Sequence, residues 1–198
     1  MPTGSVSIRY EKIREVFEEA LSEKIGYKLN QFIDGTVMVN PRFFKEIFNG
    51  NAYSVSHRFP GVASGASVDL YFENPSGSGV TVYIIVIEVI SFAQAWIDIY
   101  HGNTVTSSGT QLTPVNLNLG SNNTSRVRVE YDGTYSPGTL AVNTVCPGGS
   151  LIRAVGGVVE VGETIIIPEN NNILVRVTNQ SGSAADLSIR IIWWEQQQ

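Results

Sequence analysis

The sequence contains little charge and almost no cysteine, and each shortage excludes a class of protein. Only 16% of its 198 residues are charged, whereas about a quarter is usual for a globular chain. The formal net charge of -5 disfavours nonspecific attraction to nucleic acid or to an anionic membrane, so we expect neither as a partner. Cys146 is the single cysteine, which excludes an internal disulfide and leaves the fold to packing alone.

Long apolar runs are also lacking. The first ten residues contain no apolar segment of the kind that a secretory signal requires. The longest apolar stretch, residues 80–90, is interrupted by Thr81 and Glu88 and is too short to cross a bilayer. We therefore expect a chain that is neither secreted through a leader nor anchored in a membrane.

Motifs for catalysis and for metal binding are scarce. His57 and His101 do not show the spacing of a zinc site, and no glycine-rich phosphate loop occurs. We interpret Cys146, which lies in a Val-Cys-Pro-Gly-Gly segment, as a buried inert thiol, because no pattern places a histidine beside it as a base. We thus predict no catalytic residue, no metal site and no cofactor.

Carboxylates are the remaining candidates for chemistry, because β-sandwich glycosidases use a facing acid pair. The candidates are Asp69, Glu73, Glu88 and Asp98. Glu88 lies within the apolar run and, if buried, needs a partner such as an arginine or a tyrosine. Ion pairing at a sheet rim or at a subunit interface accounts for these residues, so we favour structural pairing over catalysis.

The composition of the chain changes near residue 50. Hydrophobic residues make up 42% of the chain, enough for a proper core. All lysines lie before residue 50, where apolar residues recur with a helical period, whereas after it glycine and asparagine become frequent and apolar residues alternate. We predict a short α-helical attachment or assembly segment at residues 1–50 and a β-domain at residues 51–198.

Two helices are predicted in residues 1–50. The first runs over residues 8–25 with Phe17 and Leu21 on its apolar face. The second follows Asn40-Pro41 and ends at Asn49-Gly50. Its large apolar residues are too many for a free short helix: Phe43, Phe44, Ile47 and Phe48. The helices pack either on their own domain or on a partner, and for the second case we predict an assembly interface that includes Phe17, Leu21, Phe43, Phe44 and Phe48.

From residue 52 onward the pattern predicts β-strands separated by turns about every ten residues. Strands are predicted at residues 68–73, 80–90, 95–100, 126–131, 138–145, 158–161, 164–167, 173–178 and 187–193. The nearly continuous apolar run 80–90 is typical of a strand that is covered on both faces. Because no helices alternate with these strands, the sequence predicts an antiparallel β-sandwich that is jelly-roll-like.

Two turn signals in this region resemble each other. Asn74-Pro75-Ser76-Gly77-Ser78 and Asn179-Gln180-Ser181-Gly182-Ser183 each follow a strand and precede a long apolar strand. We expect similar hairpins at both ends of a sandwich. The polar segment 102–124 is expected on the surface, where such excursions often carry contacts.

Aromatic residues mark candidate surfaces. Trp193 and Trp194 point to opposite faces of the last strand, so we expect one in the core and the other exposed or at an interface, and we assign Trp194 to the assembly interface. Trp96, Asp98 and Tyr100 share one face of their strand. This stripe is suited to stacking on a sugar ring, but it is equally suited to the sandwich core or to a subunit contact.

The turns and strands of residues 66–195 resemble a family of small structural proteins of tailed phages and related prokaryotic viruses. The resemblance is carried by residues 72–79 (FENPSGSG), 97–100 (IDIY), 104–110 (TVTSSGT), 112–116 (LTPVN) and 175–186 (VRVTNQSGSAAD). It implies a virion surface or tail-associated subunit, such as a head decoration protein, a fibre or a spike, and it implies no catalytic residue. Residues 1–50 are not covered, and we infer that they attach the subunit.

We therefore predict a non-enzymatic virion structural protein that acts through protein–protein assembly and is assembled in the host cytoplasm. Its expected partners are further copies of itself, in a homo-oligomer such as a trimer, and other virion proteins. The alternative is a carbohydrate-binding or adhesin module for attachment to a host-surface glycan. Trp96, Asp98 and Tyr100 are the candidate ligand-binding residues for that alternative.

Overall fold

The computed structural model of the protein describes residues 28–33, 36–40, 42–147 and 165–198, with side chains from residue 42 onward within those ranges. The chain divides into two compact units between Asn49 and Gly50. The predicted first helix, with Phe17 and Leu21, and the predicted strand 158–161 lie outside the described residues.

The first unit contains a strand pair and one short helix. Strands β1 (Lys28–Ile33) and β2 (Thr36–Asn40) pair antiparallel, and helix α1 (Arg42–Phe48) follows them. The predicted helix after Asn40-Pro41 is confirmed. The description of residues 1–50 as helical is wrong for residues 28–33 and 36–40, because the β-branched and apolar residues of TVMVN favour an extended strand that the helical pattern upstream obscured.

The described residues of the second unit, 50–147 and 165–198, form thirteen strands, and every pair among them is antiparallel. Their bounds are β3 (Ala52–Val62), β4 (Ser67–Asn74), β5 (Val80–Ser91), β6 (Ala95–His101), β7 (Thr104–Ser107), β8 (Thr110–Leu112), β9 (Val115–Asn116), β10 (Arg128–Tyr131), β11 (Thr134–Ser136), β12 (Thr139–Cys146), β13 (Ile165–Ile167), β14 (Asn171–Asn179) and β15 (Ala185–Gln197). The prediction of a mainly β, antiparallel fold is confirmed.

The strands form two large sheets and a small ribbon. The six-stranded sheet has the order β12-β6-β14-β4-β10-β8, and the five-stranded sheet has the order β13-β5-β15-β3-β9. Among the described strands, β7 and β11 pair with each other alone. The polar segment 102–124, for which no strand was predicted, contains strands β7 to β9.

Both large sheets contribute to one hydrophobic core. Phe72 of the six-stranded sheet meets Trp193 of the five-stranded sheet edge to face, with ring centroids 5.1 Å apart, and Tyr53 lies 6.0 Å from the same indole. All three side chains are buried. Truncation of a buried aromatic of this size to alanine typically costs about 3–5 kcal/mol, so this contact is a large contribution to stability.

Strand β5 is not covered on both faces, contrary to our prediction. Val82 and Ile84 are buried, the phase then slips by one residue, and Ile87 and Val89 are buried beyond the slip. The slip is a bulge opposite Ile192 and Trp193 of β15. Before the bulge the even-numbered residues face the core, and after it the odd-numbered residues do. The sequence therefore shows a continuous apolar run although only one face of the strand lines the core.

The two similar turns are not hairpins, contrary to our prediction, because each connects a strand of the six-stranded sheet (β4 or β14) to a strand of the five-stranded sheet (β5 or β15). Asn74 ends β4, is fully buried, and donates its side-chain amide to the carbonyls of Val80 and Ile167 at 2.9 and 3.0 Å. Asn179 ends β14 and donates in the same way to the carbonyls of Val62 and Ser183 at 2.8 and 2.9 Å. Each asparagine therefore satisfies backbone carbonyls that the corner removes from the strand ladders.

Candidate functional site on the outer face of the six-stranded sheet

The outer face of the six-stranded sheet presents side chains in rows that run across the strands, because residues directly opposite in an antiparallel pair point to the same face. We name three rows by their β6 member. The Trp96 row contains Val145, Trp96, Thr178 and Ser67. The Asp98 row contains Asn143, Asp98, Arg176 and Asp69. The Tyr100 row contains Leu140, Tyr100, Leu174 and Tyr71.

Trp96 is the exposed tryptophan of the chain. Its side chain is 53% exposed, whereas Trp193 and Trp194 are 0% and 4% exposed. Alternation along β6 explains this position, because Ala95, Ile97 and Ile99 occupy the core face. Val145 lies opposite Trp96 on the edge strand β12 and is also exposed. Trp96 and Val145 therefore form an exposed apolar surface at one end of this row.

The Asp98 row is polar and only partly neutralised. Arg176 donates two hydrogen bonds to the carboxylate of Asp69, each at 2.7 Å, and this pairing raises the pKa of Arg176 further above its usual value. Asp98 lies on the other side of Arg176. Within the described residues the side chains of Asp98 and Asn143 make no hydrogen bond, so their polar atoms remain open to a ligand.

Trp96 and Asp98 meet in an open depression that they share with Asn143, Thr144 and Val145. It combines a flat aromatic surface with a carboxylate acceptor and an amide that both donates and accepts. The structure thus brings together two of the three residues that the sequence singled out as candidate ligand-binding residues. This set of groups is suited to binding a polar ring rather than to breaking a bond.

Tyr100 is not part of that depression. It packs on a second, smaller cluster with Leu174, Tyr71, Tyr135 and Val105, so the β7–β11 ribbon covers this part of the sheet. The rings of Tyr71 and Tyr135 stack with their centroids 4.9 Å apart and their planes 10° from parallel. Burial raises the pKa of each of these two tyrosines to about 12. Tyr100 therefore contributes to packing under the β7–β11 ribbon.

The other candidate carboxylates lie in ion pairs. Asp69 binds Arg176, and Glu73 lies 3.3 Å from Arg128. Glu88 is half-buried and lies 3.7 Å from Arg190, one of the two kinds of partner that we expected if it were buried. Asp98 is the acidic candidate without an ion pair in the described part of the chain.

The predicted assembly residues divide into exposed and buried ones. Phe44 and Phe48 of α1 are 52% and 75% exposed, and Phe43 is intermediate. Trp194 does point away from the core, but the expectation that it is exposed is wrong, because its ring stacks on Tyr83 with centroids 4.0 Å apart and the planes almost parallel. Its assignment to an assembly interface stays a prediction.

Two further polar groups are explained by the fold. Glu195 is buried, accepts hydrogen bonds from Trp193 Nε1 at 3.1 Å and from Ser125 Oγ at 2.6 Å, and thus holds the end of β15 to the segment before β10. Cys146 is fully buried, as predicted, and its thiol lies 3.9 Å from the carbonyl of Ser91.

Sequence reasoning missed Asn143 and Arg176. Each lies on a different strand from Trp96, and only the register of β12 and β14 against β6 brings them to the same face. The alternation of Arg176 between buried Val175 and Val177 was a usable signal that its side chain faces outward, but nothing in that segment identified its neighbours.

The described residues contain neither a metal-binding cluster nor a helix long enough to cross a membrane. In residues 42–147 and 165–198, no cluster of three or more histidine, cysteine, aspartate or glutamate side chains could hold a metal ion. The one helix in the described ranges is too short to span a bilayer. Comparison with protein-family models, with curated proteins and with solved structures finds no match to this chain.

Proposed function

We propose that the second unit is a β-sandwich with jelly-roll topology and that the chain is a non-enzymatic virion structural protein. It would serve as a capsid decoration, fibre, spike or tail-associated subunit, assembled in the host cytoplasm. The order of its strands carries the topological part of this proposal. Eight strands make up the two sheets apart from short additions: β3, β4, β5, β6, β12, β13, β14 and β15.

These eight strands pair as they would if one long antiparallel hairpin were rolled up into two sheets. The first pairs with the eighth (β3 with β15), the second with the seventh (β4 with β14), the third with the sixth (β5 with β13), and the fourth with the fifth (β6 with β12). The rolled hairpin then closes through β15 against β5 and β14 against β6. This pattern supports a jelly roll, an architecture that recurs in viral capsid proteins and in lectins.

A fold alone does not determine a function, so the surfaces must support the choice. Among the described strands, β12 lies at an edge of the six-stranded sheet; it contains no charged residue and exposes Leu140 and Val145. An uncharged edge strand is a template for pairing with another chain. Phe44 and Phe48 add exposed aromatic surface on α1. Such surfaces favour a subunit that is covered by neighbours, either copies of itself or other virion proteins.

The oligomeric state of the full chain in solution tests this proposal. We expect light scattering to give a homo-oligomer, such as a trimer, and we expect Phe44→Ser with Phe48→Ser to lower its mass. Phe92→Ser is the matched control, because Phe92 is 69% exposed on the other unit. A monomer at every concentration tested, with no affinity for isolated virion components, would contradict the assembly proposal.

A second candidate function is a carbohydrate-binding or adhesin module for attachment to a host-surface glycan. The observation that favours it is the open depression with Trp96 exposed above Asp98 and Asn143. Binding of the full chain to a glycan array, and its loss in Trp96→Ala, tests this candidate. The two functions are compatible, because a virion spike or fibre that binds host glycans performs both.

A further inference from the structure

We propose that the depression lined by Trp96, Asp98, Asn143, Thr144 and Val145 binds a neutral hexopyranose and rejects an anionic sugar. This inference rests on the second candidate function above and specifies its ligand class. It follows from the geometry of two adjacent rows of the sheet and from the charge that one of them carries.

The Trp96 row supplies the stacking surface. Half of the indole is exposed, and the exposed Val145 extends the apolar area on the edge strand. The C–H face of a pyranose packs on a flat aromatic surface of this kind because both are apolar and similar in size. On the other side of the indole, Thr178 is held by its hydroxyl contact with Ser67 at 2.8 Å.

The Asp98 row lies within reach of the hydroxyl edge of a sugar stacked on Trp96. Successive residues on one face of a strand are about 6.6 Å apart, and neighbouring strands are about 4.8 Å apart. Asp98 follows Trp96 on that face of β6, and Asn143 lies directly opposite Asp98. A carboxylate accepts from hydroxyl groups, while an amide both donates to them and accepts from them, so the pair matches two neighbouring hydroxyls.

Charge excludes an anionic ligand. The guanidinium of Arg176 is the cation of this row, and two of its N–H groups are committed to Asp69. Asp98 therefore leaves the row with an excess negative charge that would repel the carboxylate of a uronic or sialic acid. A simple cation is a poorer match than a neutral sugar, because the amide of Asn143 presents donors and Arg176 offsets part of the charge of Asp98.

Tryptophan fluorescence of the full chain reads this site directly, because Trp193 and Trp194 are buried. The probes are methyl β-galactopyranoside, methyl α-glucopyranoside and methyl α-mannopyranoside, with glucuronate and arginine methyl ester as the charged comparators. We expect at least one neutral glycoside to protect Trp96 from acrylamide in a saturable manner. We expect glucuronate to bind at least tenfold more weakly.

Variants localise the site and test the basis of its selectivity. Trp96→Ala should abolish binding, and because this variant lacks the fluorescent probe, its binding is measured by saturation-transfer NMR on the sugar. Asn143→Ala should weaken binding about tenfold, which corresponds to roughly 1.4 kcal/mol. Asp98→Asn should weaken the neutral sugar, because it replaces an ionised acceptor by a neutral one, but should improve glucuronate about tenfold, because it removes the excess negative charge of the row. Phe92→Ala is the control for an exposed aromatic elsewhere, and thermal unfolding of each variant checks that it is folded.

Each outcome has one meaning. If no neutral glycoside binds the wild type by either method, the sugar-binding function fails together with its ligand class. If a glycoside binds but glucuronate binds equally well, the ligand class is wrong while sugar binding stands. If Trp96→Ala binds as the wild type does, the location is wrong. Preferential binding of arginine methyl ester would overturn the proposal in favour of a cation site.

Discussion

Substitution of a single buried amide, Asn179→Asp, tests the role of the sheet corners. Asn179 is fully buried, and its Nδ2 donates to the carbonyls of Val62 and Ser183. Its Oδ1 accepts from the backbone N–H and the hydroxyl of Ser181, at 2.9 and 2.7 Å. Aspartate has almost the same shape and keeps the acceptor, but an ionised carboxylate cannot donate. Two carbonyl oxygens would then face a negative charge.

The size of the effect follows from the lost donors. A buried carbonyl left without its donor costs about 1–3 kcal/mol, so Asn179→Ala should lower the free energy of unfolding by about 2–4 kcal/mol. Asn179→Asp should lower it further at pH 7, by about 4 kcal/mol or more, because it adds a buried charge without a cation. Both losses are measurable by urea unfolding, since domains of this size are usually stable by about 5–15 kcal/mol.

The pH dependence of the same variant gives the sharper test. Burial and the two carbonyl oxygens should raise the folded-state pKa of the new carboxyl above its unfolded value of about 3.9. A raised folded pKa means that the stability deficit is smallest at low pH, where the carboxyl is protonated and donates one bond, and grows as pH rises through that pKa. Asn170→Asp, at an exposed position with a positive φ that both residues tolerate, is the matched control. A deficit that is smaller than that of Asn179→Ala at pH 7, or that does not change with pH, would refute this account of the corner.

Three more predictions follow from buried contacts. Asn74→Asp should destabilise more than Asn179→Asp, because Asn74 Oδ1 has no hydrogen-bond donor among the described residues to offset the charge; urea unfolding of the two variants side by side measures this. Burial raises the pKa of Tyr53, Tyr71 and Tyr135 to about 12, so a spectrophotometric titration of the folded protein at 295 nm should contain a component near pH 12; because the neutral form is favoured in the folded state, stability should fall as pH rises from about 10 through 12, and a titration of the folded protein that is complete near pH 10 would contradict this. Gly109→Ala should cost about 2 kcal/mol or more, because its Cβ would overlap the backbone oxygen of Tyr131, while Gly182→Ala, whose Cβ meets open space, should stay within about 0.5 kcal/mol in thermal unfolding.

The strands were predictable from the sequence where apolar and polar residues alternate without interruption. Residues 68–73 and 95–100 were predicted as strands, and the structure has Ser67–Asn74 and Ala95–His101 there. The β-pattern was predicted from residue 52 onward, but no strand bounds were predicted for β3, which contains Pro60-Gly61. The strand tolerates the pair because its register with β15 slips between Phe59 and Val62, where a proline removes no regular ladder bond.

The candidate site was predictable only within one strand. Trp96 and Asp98 were found together because side chains two residues apart share a face. Asn143 and Arg176 were beyond reach, because the register between distant strands is set by tertiary packing rather than by local pattern. Trp194 shows the converse: alternation placed it on the face opposite Trp193, but local pattern did not reveal that its ring stacks on Tyr83 of the neighbouring strand and is only 4% exposed.

Strand β15 has a kinetic consequence. It lies between β5 and β3, pairs with both over most of its length, and contributes Trp193 to the core. The partner strand β3 opens the second unit, so its ladder closes a loop that spans nearly the entire unit, and such long-range closure slows folding. On the ribosome, β3 and β5 must wait without their central partner until residues 185–197 emerge, and a ribosome stalled before Ala185 would hold a chain with two unpaired strand edges.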